Sequence, residues 1–184
     1  MSLFYLLIFL ITKIILWFQK PKKKTVRIFP ESSRPWNIFY PVTSIGRQIF
    51  LGSCVQASDI IFLEKSGVSH IVNVSMEIPN FYSQQFKYYN LRIQDNGLES
   101  FKSYDFEQVF SFINEALKNK EHKVFIHCYS GRSRSVSVLT YYLARKYQLS
   151  IGTILQYLKK KRKIINPSVI FYKNLEDILS QTKN

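Results

Sequence analysis

The stretch 123–135 reads K-V-F-I-H-C-Y-S-G-R-S-R-S, and it decides the fold. It opens with a short apolar run, Val124–Ile126, which predicts a buried strand. A short loop that contains Gly131 follows, and the chain then enters an apolar periodic stretch that is typical of a helix. A strand, a tight loop and a helix start in this order form an anion hole, because loop N–H groups and the helix N-terminus converge on one spot.

Two reactive side chains frame this predicted anion hole. Cys128 stands at its entrance, and Arg134 follows six positions later at its far end. An anion hole favours a thiolate over a thiol, and the planar guanidinium of an arginine binds two phosphate oxygens, which a lysine cannot do. The pattern predicts thiolate attack on phosphorus, giving a phosphocysteine that water hydrolyses. The alternative is a buried structural cysteine that happens to precede a helix, and the presence of His127, Gly131 and Ser135 disfavours it.

The pattern His127-Cys128-x5-Arg134-Ser135 resembles the signature loop of cysteine-dependent protein phosphatases, and the wider chain resembles their dual-specificity branch. In that branch a leucine-glycine-serine turn and an asparagine-valine strand come earlier, and Leu51–Ser53 and Asn73–Val74 occupy those places here. The resemblance covers roughly residues 40–182. It implies an α/β fold with a central mixed, mostly parallel sheet flanked by helices.

The resemblance also implies a role for each residue of the loop. Cys128 is the nucleophile, and Arg134 binds phosphate and stabilises charge on its equatorial oxygens. Ser135 helps the thiolate leave, and His127 orders the loop and tunes the thiol. The residues expected to bind the phosphate, mostly through backbone N–H groups, are Tyr129, Ser130, Gly131, Arg132, Ser133 and Arg134. This mechanism needs no metal and no other cofactor.

Hydrolysis of a phosphoester also needs a proton donor for the leaving oxygen and later a base for the attacking water. Asp95 lies in an Asp-Asn-Gly loop after a predicted strand, Phe86–Ile93, and 33 residues before Cys128. The family's acid lies on such a loop at a similar distance, so we expect Asp95 to be the general acid and base. An Asx-turn is the alternative role for Asp95, and it is compatible with catalysis. Asp105 is the second candidate, but the pattern predicts that it starts a helix.

The first 24 residues predict a membrane segment. Leu3–Phe18 is almost wholly apolar, and residues 1–27 contain six Lys/Arg and no acid. A helix of roughly 16 residues spans about 24 Å, short of the ~30 Å hydrocarbon core, so spanning a thinned bilayer and lying in its interface both remain open. The basic flank favours a cytosolic catalytic domain. A cleaved signal peptide and an apolar helix packed on the domain are the alternatives.

The chain therefore divides into three predicted parts: the membrane segment 1–24, a proline-containing linker 25–43 and a catalytic domain 44–182. Hydrophobic residues make up 46% of the chain, which argues against disorder, and two cysteines give no disulfide framework. Cys54 is predicted to be an inert core thiol. The net charge of +14 includes a basic run, Lys159–Lys163. Basic clusters of this kind can bind nucleic acid, an acidic membrane or an acidic protein substrate, and neither an aromatic-interleaved module nor a zinc spacing supports nucleic acid here.

The sequence is compatible with three functions. The resemblance favours a dual-specificity protein phosphatase, since a chain this short lacks room for the extra loops that deepen the pocket in the tyrosine-only phosphatases. The same fold also hydrolyses phospholipids such as phosphoinositides or phosphatidylglycerol phosphate, and Arg132, the basic run and the apolar N-terminus fit such a substrate. The third is a phosphate-binding module without turnover, although such proteins usually lack the cysteine or the arginine. The oligomeric state stays open.

Overall fold

The computed structural model describes residues 41–95 and 104–181. Within them, five strands form one sheet: β1 (Thr43–Ile45), β2 (Ile49–Gly52), β3 (His70–Ser75), β4 (Lys87–Ile93) and β5 (Val124–His127). The strand order is β1-β2-β5-β3-β4. β1 pairs antiparallel with β2, and the other neighbouring pairs are parallel. The predicted mixed, mostly parallel sheet is confirmed.

Helices cover both faces of the sheet. The described helices are α1 (Cys54–Ala57), α2 (Ile60–Lys65), α3 (Phe106–Ala116), α4 (Arg134–Tyr147), α5 (Ile151–Lys161) and α6 (Val169–Gln181). α4 is the central one, since it contacts β2, β3 and β5 on one side and α3, α5 and α6 on the other. α1 and α2 contribute to a second, smaller hydrophobic cluster.

The side chains of β5 alternate between these two clusters. Val124 and Ile126 belong to the large cluster that α3 to α6 share, and Phe125 belongs to the small cluster with Leu63 and Ile71. A strand that is covered on both faces has no solvent-facing positions, so it reads as a continuous apolar run rather than as an alternating one. This explains why the run in the sequence predicted a buried strand.

Short polar residues fix where the helices begin. Asp105 caps α3 and accepts a hydrogen bond from the Gln108 N–H at 2.8 Å, and Ser150 caps α5. α4 begins at Arg134, because Ser133 is its N-cap and the Ser133 carbonyl accepts from the Ser137 N–H at 2.9 Å. The first turn of α4 is therefore part of the signature loop.

The carboxyl ends of four parallel strands meet at one edge of the sheet. The chain leaves β2 at Ser53, leaves β5 at Cys128, and reaches Glu77 and Asp95 two residues after β3 and β4. Ligands of α/β sheets bind at this edge, where neighbouring strands lead to helices on opposite faces. The topology thus gathers the predicted catalytic residues in one place.

The predicted apolar N-terminal helix and most of the predicted linker lie outside the described residues, so the division of the chain at residues 24 and 43 stays a prediction. In the ranges 41–95 and 104–181, no helix has both the length and the apolar character needed to cross a bilayer.

Candidate active site

Cys128 is the first residue after β5, and its side chain is buried at the base of the signature loop. Two donors point at its sulfur. The Gly131 N–H and the Ser135 Oγ–H each lie 3.3 Å from Cys128 Sγ. Both donors are thus placed to stabilise negative charge that develops on the sulfur.

Gly131 allows the loop to close over the end of β2. Its φ is +66°, a conformation that L side chains rarely adopt, and a Cβ at this position would clash with the Gly52 carbonyl group. The loop backbone therefore packs directly on the strand beside β5. We expect any side chain at position 131 to open the loop.

Arg134 lies in the first turn of α4, and only 1% of it is exposed. Its Nη1 donates to Glu77 Oε2 at 2.7 Å and to the Ile93 carbonyl at 3.1 Å, and its Nη2 donates to Glu77 Oε1 at 2.6 Å. Glu77 thus forms a bidentate salt bridge with the two terminal nitrogens of the Arg134 guanidinium. Arg134 Nε is buried and has no hydrogen-bond partner among the described residues. One donor of the guanidinium is thus left without a protein acceptor in this part of the chain.

Glu77 is a site residue that the sequence analysis missed. It follows β3 by two residues, just as Asp95 follows β4 by two residues. Burial is the largest single influence on Glu77 and opposes its ionisation, but the hydrogen bond with Arg134, a backbone hydrogen bond and the charge of Arg134 together outweigh it and hold the pKa of Glu77 below its usual value. Burial likewise opposes the charge of Arg134, and the Glu77 hydrogen bond raises the Arg134 pKa above its usual value. The pair therefore stays ionised. The sequence did contain a signal for Glu77: it is an acidic residue two positions after a parallel strand, as is Asp95, the predicted general acid.

Asp95 reaches the same arginine from the mouth of the site. Its Oδ2 lies 3.2 Å from Arg134 Nη2, and 58% of its side chain is exposed. The structure thus brings the predicted acid and the predicted phosphate ligand together. The second candidate acid, Asp105, instead caps α3, as the sequence analysis predicted.

His127 is buried and electrically neutral. Its ring stacks on Phe125 with centroids 5.5 Å apart, and its Nδ1 lies 3.4 Å from the Cys128 carbonyl. Burial lowers the pKa of His127 to about 4, so the ring carries no charge at neutral pH. His127 can therefore influence the Cys128 thiol by positioning the Cys128 backbone, but it does not supply a positive charge.

The remaining predicted phosphate-binding residues line the loop in different ways. Tyr129 and Arg132 are exposed, whereas Ser130 and Ser133 are half-buried. The Arg132 Nε donates to the Ile164 carbonyl at 3.1 Å, and Ser133 Oγ accepts from the Ser168 N–H at 3.3 Å. The segment between α5 and α6 thus packs against the loop.

The structure corrects the sequence analysis of the basic run. Lys159, Lys160, Lys161 and Lys163 are exposed, but Arg162 is only 3% exposed and binds the back of the signature loop. In the sequence Arg162 cannot be distinguished from its lysine neighbours, although its side chain alone in this run points into the protein. Cys54 is buried nearby, and burial, followed by the charge of Cys128, raises its pKa to about 12, so it is a protonated thiol at neutral pH.

Comparison with known proteins agrees with this geometry. Residues 49–181 match the family model described as the dual specificity phosphatase catalytic domain. This chain belongs to the dual specificity phosphatase family. Among curated relatives, the Drosophila melanogaster protein phosphatase Slingshot is 38% identical over 134 residues, and the Mus musculus dual specificity protein phosphatase 2 is 29% identical over 133 residues. Those matches cover 73% and 72% of this chain.

Solved structures of the family share the fold. A crystal structure of human DUSP28 superposes with a TM-score of 0.71 at 25% identity, covering 78% of this chain and 96% of that one. The human tyrosine phosphatase-like serine/threonine/tyrosine-interacting protein gives a TM-score of 0.68 at 25% identity, covering 78% of this chain and 98% of that one. The second protein is named phosphatase-like, so the fold alone does not decide activity, and the site residues must carry that argument.

The chain spans only part of the curated relatives that it matches: 13% of the fly Slingshot protein and 41% of the mouse phosphatase. Its similarity to them is a similarity of catalytic domains. What the full-length relatives act on does not transfer with that domain.

Replacing Glu77 tests whether it positions Arg134. In Glu77→Ala the outer donors of Arg134 lose their carboxylate, and Asp95, already 3.2 Å away, is free to take them. We expect kcat/KM for an aryl phosphate to fall on the order of 10²-fold, since a small misplacement of a phosphate ligand is enough. Glu77→Gln keeps one acceptor oxygen and should lose less.

The matched control is Glu121→Ala, an exposed carboxylate in the turn before β5 and therefore at the opposite edge of the sheet. Thermal unfolding checks that each variant is folded. A folded Glu77→Ala with kcat/KM within twofold of the parent would show that Arg134 needs no carboxylate to hold it.

Proposed function

We propose that this chain is a protein phosphatase that hydrolyses phosphotyrosine and phosphoserine or phosphothreonine through a phosphocysteine intermediate. The observation that supports it best is the pairing of a donor-surrounded sulfur with a preset arginine. Among the described residues, Cys128 Sγ accepts hydrogen bonds from the Gly131 N–H and the Ser135 Oγ–H, and Arg134 Nε is buried without a partner while Glu77 binds both terminal nitrogens of the guanidinium. A structural cysteine needs neither feature.

In the first step the phosphate dianion binds Arg134 Nε and the loop N–H groups, which neutralise charge on the equatorial oxygens. Cys128 thiolate attacks phosphorus, and the bond to the leaving oxygen breaks. Asp95, in its protonated form, gives its proton to that oxygen, so a neutral alcohol or phenol departs. Bound phosphate competes with Asp95 for Arg134 Nη2, which releases the carboxyl group toward the leaving oxygen.

In the second step water hydrolyses the phosphocysteine. Asp95, now ionised, takes a proton from the water as its oxygen attacks phosphorus, and the sulfur leaves as a thiolate. The Ser135 Oγ–H, 3.3 Å from Cys128 Sγ, stabilises the negative charge that returns to the sulfur. Inorganic phosphate leaves, and the acid is again protonated for the next cycle.

The direct test is phosphate release by the purified full-length chain in detergent, with Cys128→Ser as the inactive control. The substrate panel contains phosphotyrosine, phosphothreonine and doubly phosphorylated peptides, and also phosphoinositides and phosphatidylglycerol phosphate in anionic vesicles. We expect turnover of peptides of both kinds, abolished in Cys128→Ser. Turnover of lipids alone would instead make this a phospholipid phosphatase, and orthovanadate binding without turnover would make it a phosphate-binding module.

The role of Asp95 predicts a dependence on the leaving group. Asp95→Asn cannot donate a proton, so aryl phosphates with a poor leaving group should slow by roughly 10²- to 10⁴-fold, whereas those with a good leaving group should slow far less. The measurement is kcat/KM across a series of aryl phosphates of differing phenol acidity. An equal loss along the whole series would remove Asp95 as the general acid.

We also propose that the N-terminal segment attaches the enzyme to a membrane, with the catalytic domain facing the cytosol. Its support is the apolar run Leu3–Phe18 and the lysine-rich sequence that follows it. A phosphatase held in this way would act on phosphoproteins close to the membrane surface.

Deleting residues 1–27 tests this attachment. We expect the deleted protein to move from the membrane pellet to the supernatant on cell fractionation while it keeps its activity on peptides in solution. A shortened protein that stays with the membranes would show that another part of the chain anchors it.

A further inference from the structure

Four carbonyl groups of the signature loop are bound from the side away from the Cys128 sulfur. Four consecutive carbonyls accept hydrogen bonds from groups outside the loop. The bonds are Cys54 N to Tyr129 O at 3.0 Å, Arg162 Nη2 to Ser130 O at 3.4 Å, Arg162 Nε to Gly131 O at 2.9 Å, and Asn166 N to Arg132 O at 2.9 Å. Two of the four therefore depend on one side chain, that of Arg162.

Holding a carbonyl also aims an N–H group. In a trans peptide the C=O of one residue and the N–H of the next point in opposite directions. The Ser130 carbonyl, which Arg162 binds, shares its peptide group with the Gly131 N–H, and that N–H donates to Cys128 Sγ at 3.3 Å. Arg162 and the sulfur thus bind opposite ends of one peptide group, and the Gly131 carbonyl fixes the Arg132 N–H in the same way.

Arg162 also places a positive charge behind the signature loop. Its remaining hydrogen bonds go to the Pro41 carbonyl and to Thr43 Oγ1, so its acceptors within the described residues are uncharged oxygen atoms. Burial lowers the pKa of Arg162 to about 10, opposed by the negative charge of Cys128, and the guanidinium is still protonated at neutral pH. A buried charge without a carboxylate partner is costly, and a nearby anion is what would offset it.

We propose that Arg162 is a positioning residue for the signature loop. Its guanidinium holds the Ser130 and Gly131 carbonyls behind the loop, turns the N–H groups of Gly131 and Arg132 toward the anion, and places a positive charge behind them. A lysine cannot replace it, because one ammonium group lacks the planar fork that spans two adjacent carbonyls and the start of β1. The catalytic part of this inference rests on the proposed phosphatase function, whereas its effect on the Cys128 sulfur does not.

The test compares Arg162→Met and Arg162→Lys with Lys163→Met, an exposed cation removed from the next position in the same run. The first readout is the rate of Cys128 alkylation by iodoacetamide across a range of pH, followed by mass spectrometry of the modified peptide. The second readout is kcat/KM for an aryl phosphate, and both use the full-length chain.

For Arg162→Met we expect the midpoint of the alkylation profile to move up by about one pH unit, because the thiolate loses a cation and an aimed donor. We expect its kcat/KM to fall on the order of 10²-fold. Arg162→Lys keeps the charge, so its alkylation midpoint should move less, while its kcat/KM still falls about tenfold. Lys163→Met should match the parent in both readouts.

An alkylation profile of folded Arg162→Met that coincides with that of the parent would overturn the proposal, even if activity were lost, because Arg162 would then act on stability alone. If thermal unfolding shows that Arg162→Met does not fold, Arg162→Lys decides, and parent values for both its kcat/KM and its alkylation profile overturn the proposal. A shifted profile in a chain without phosphatase turnover would contradict the proposed function and leave the role of Arg162 at the sulfur standing.

Discussion

A phosphate cradle made of peptide groups imposes one constraint on the whole domain. If the N–H groups of the loop face the anion, its carbonyls face away and need donors of their own, since buried backbone groups are almost always paired. Cys54 at the start of α1, Asn166 between α5 and α6, and Arg162 at the end of α5 supply these donors. Elements that are distant in sequence therefore meet behind the signature loop, and Arg162 also binds β1 through Thr43.

The front of the site is set by a second arrangement, around Arg134. A buried guanidinium costs several kcal/mol of desolvation unless a partner compensates it, and the two-pronged contact with Glu77 does so. The contact uses the outer edge of the guanidinium and leaves Nε unpartnered among the described residues. Electrostatic catalysis depends on donors that need no rearrangement when charge develops. The arginine is thus already oriented, and Asp95 is the more exposed of its two acidic partners.

The sequence predicted those features that are carried by local patterns. The run Val124–Ile126, the offset from Cys128 to Arg134 and the position of Asp95 after a strand each lie within one short segment, and the structure brings these residues together. Glu77 and Arg162 escaped prediction because their roles arise from contacts 57 and 31 residues away, with Arg134 and Gly131. From the sequence alone, Glu77 in a turn and Arg162 among lysines are both expected to be solvent-exposed charges. Only the order of the strands shows that they lie at the active site.

We infer from these contacts that the site is complete before phosphate arrives. A crystal structure of the full-length chain with orthovanadate, whose oxygens stand in for those of the transferring phosphoryl group, tests this most directly. We predict vanadium bonded to Cys128 Sγ, its oxygens bound by Arg134 Nε and the loop N–H groups, the Glu77 and Arg162 contacts unchanged, and Asp95 moved from Arg134 toward the apical oxygen. A structure in which the anion displaces Glu77 from Arg134, or in which the loop carbonyls turn away from Arg162, would contradict the claim.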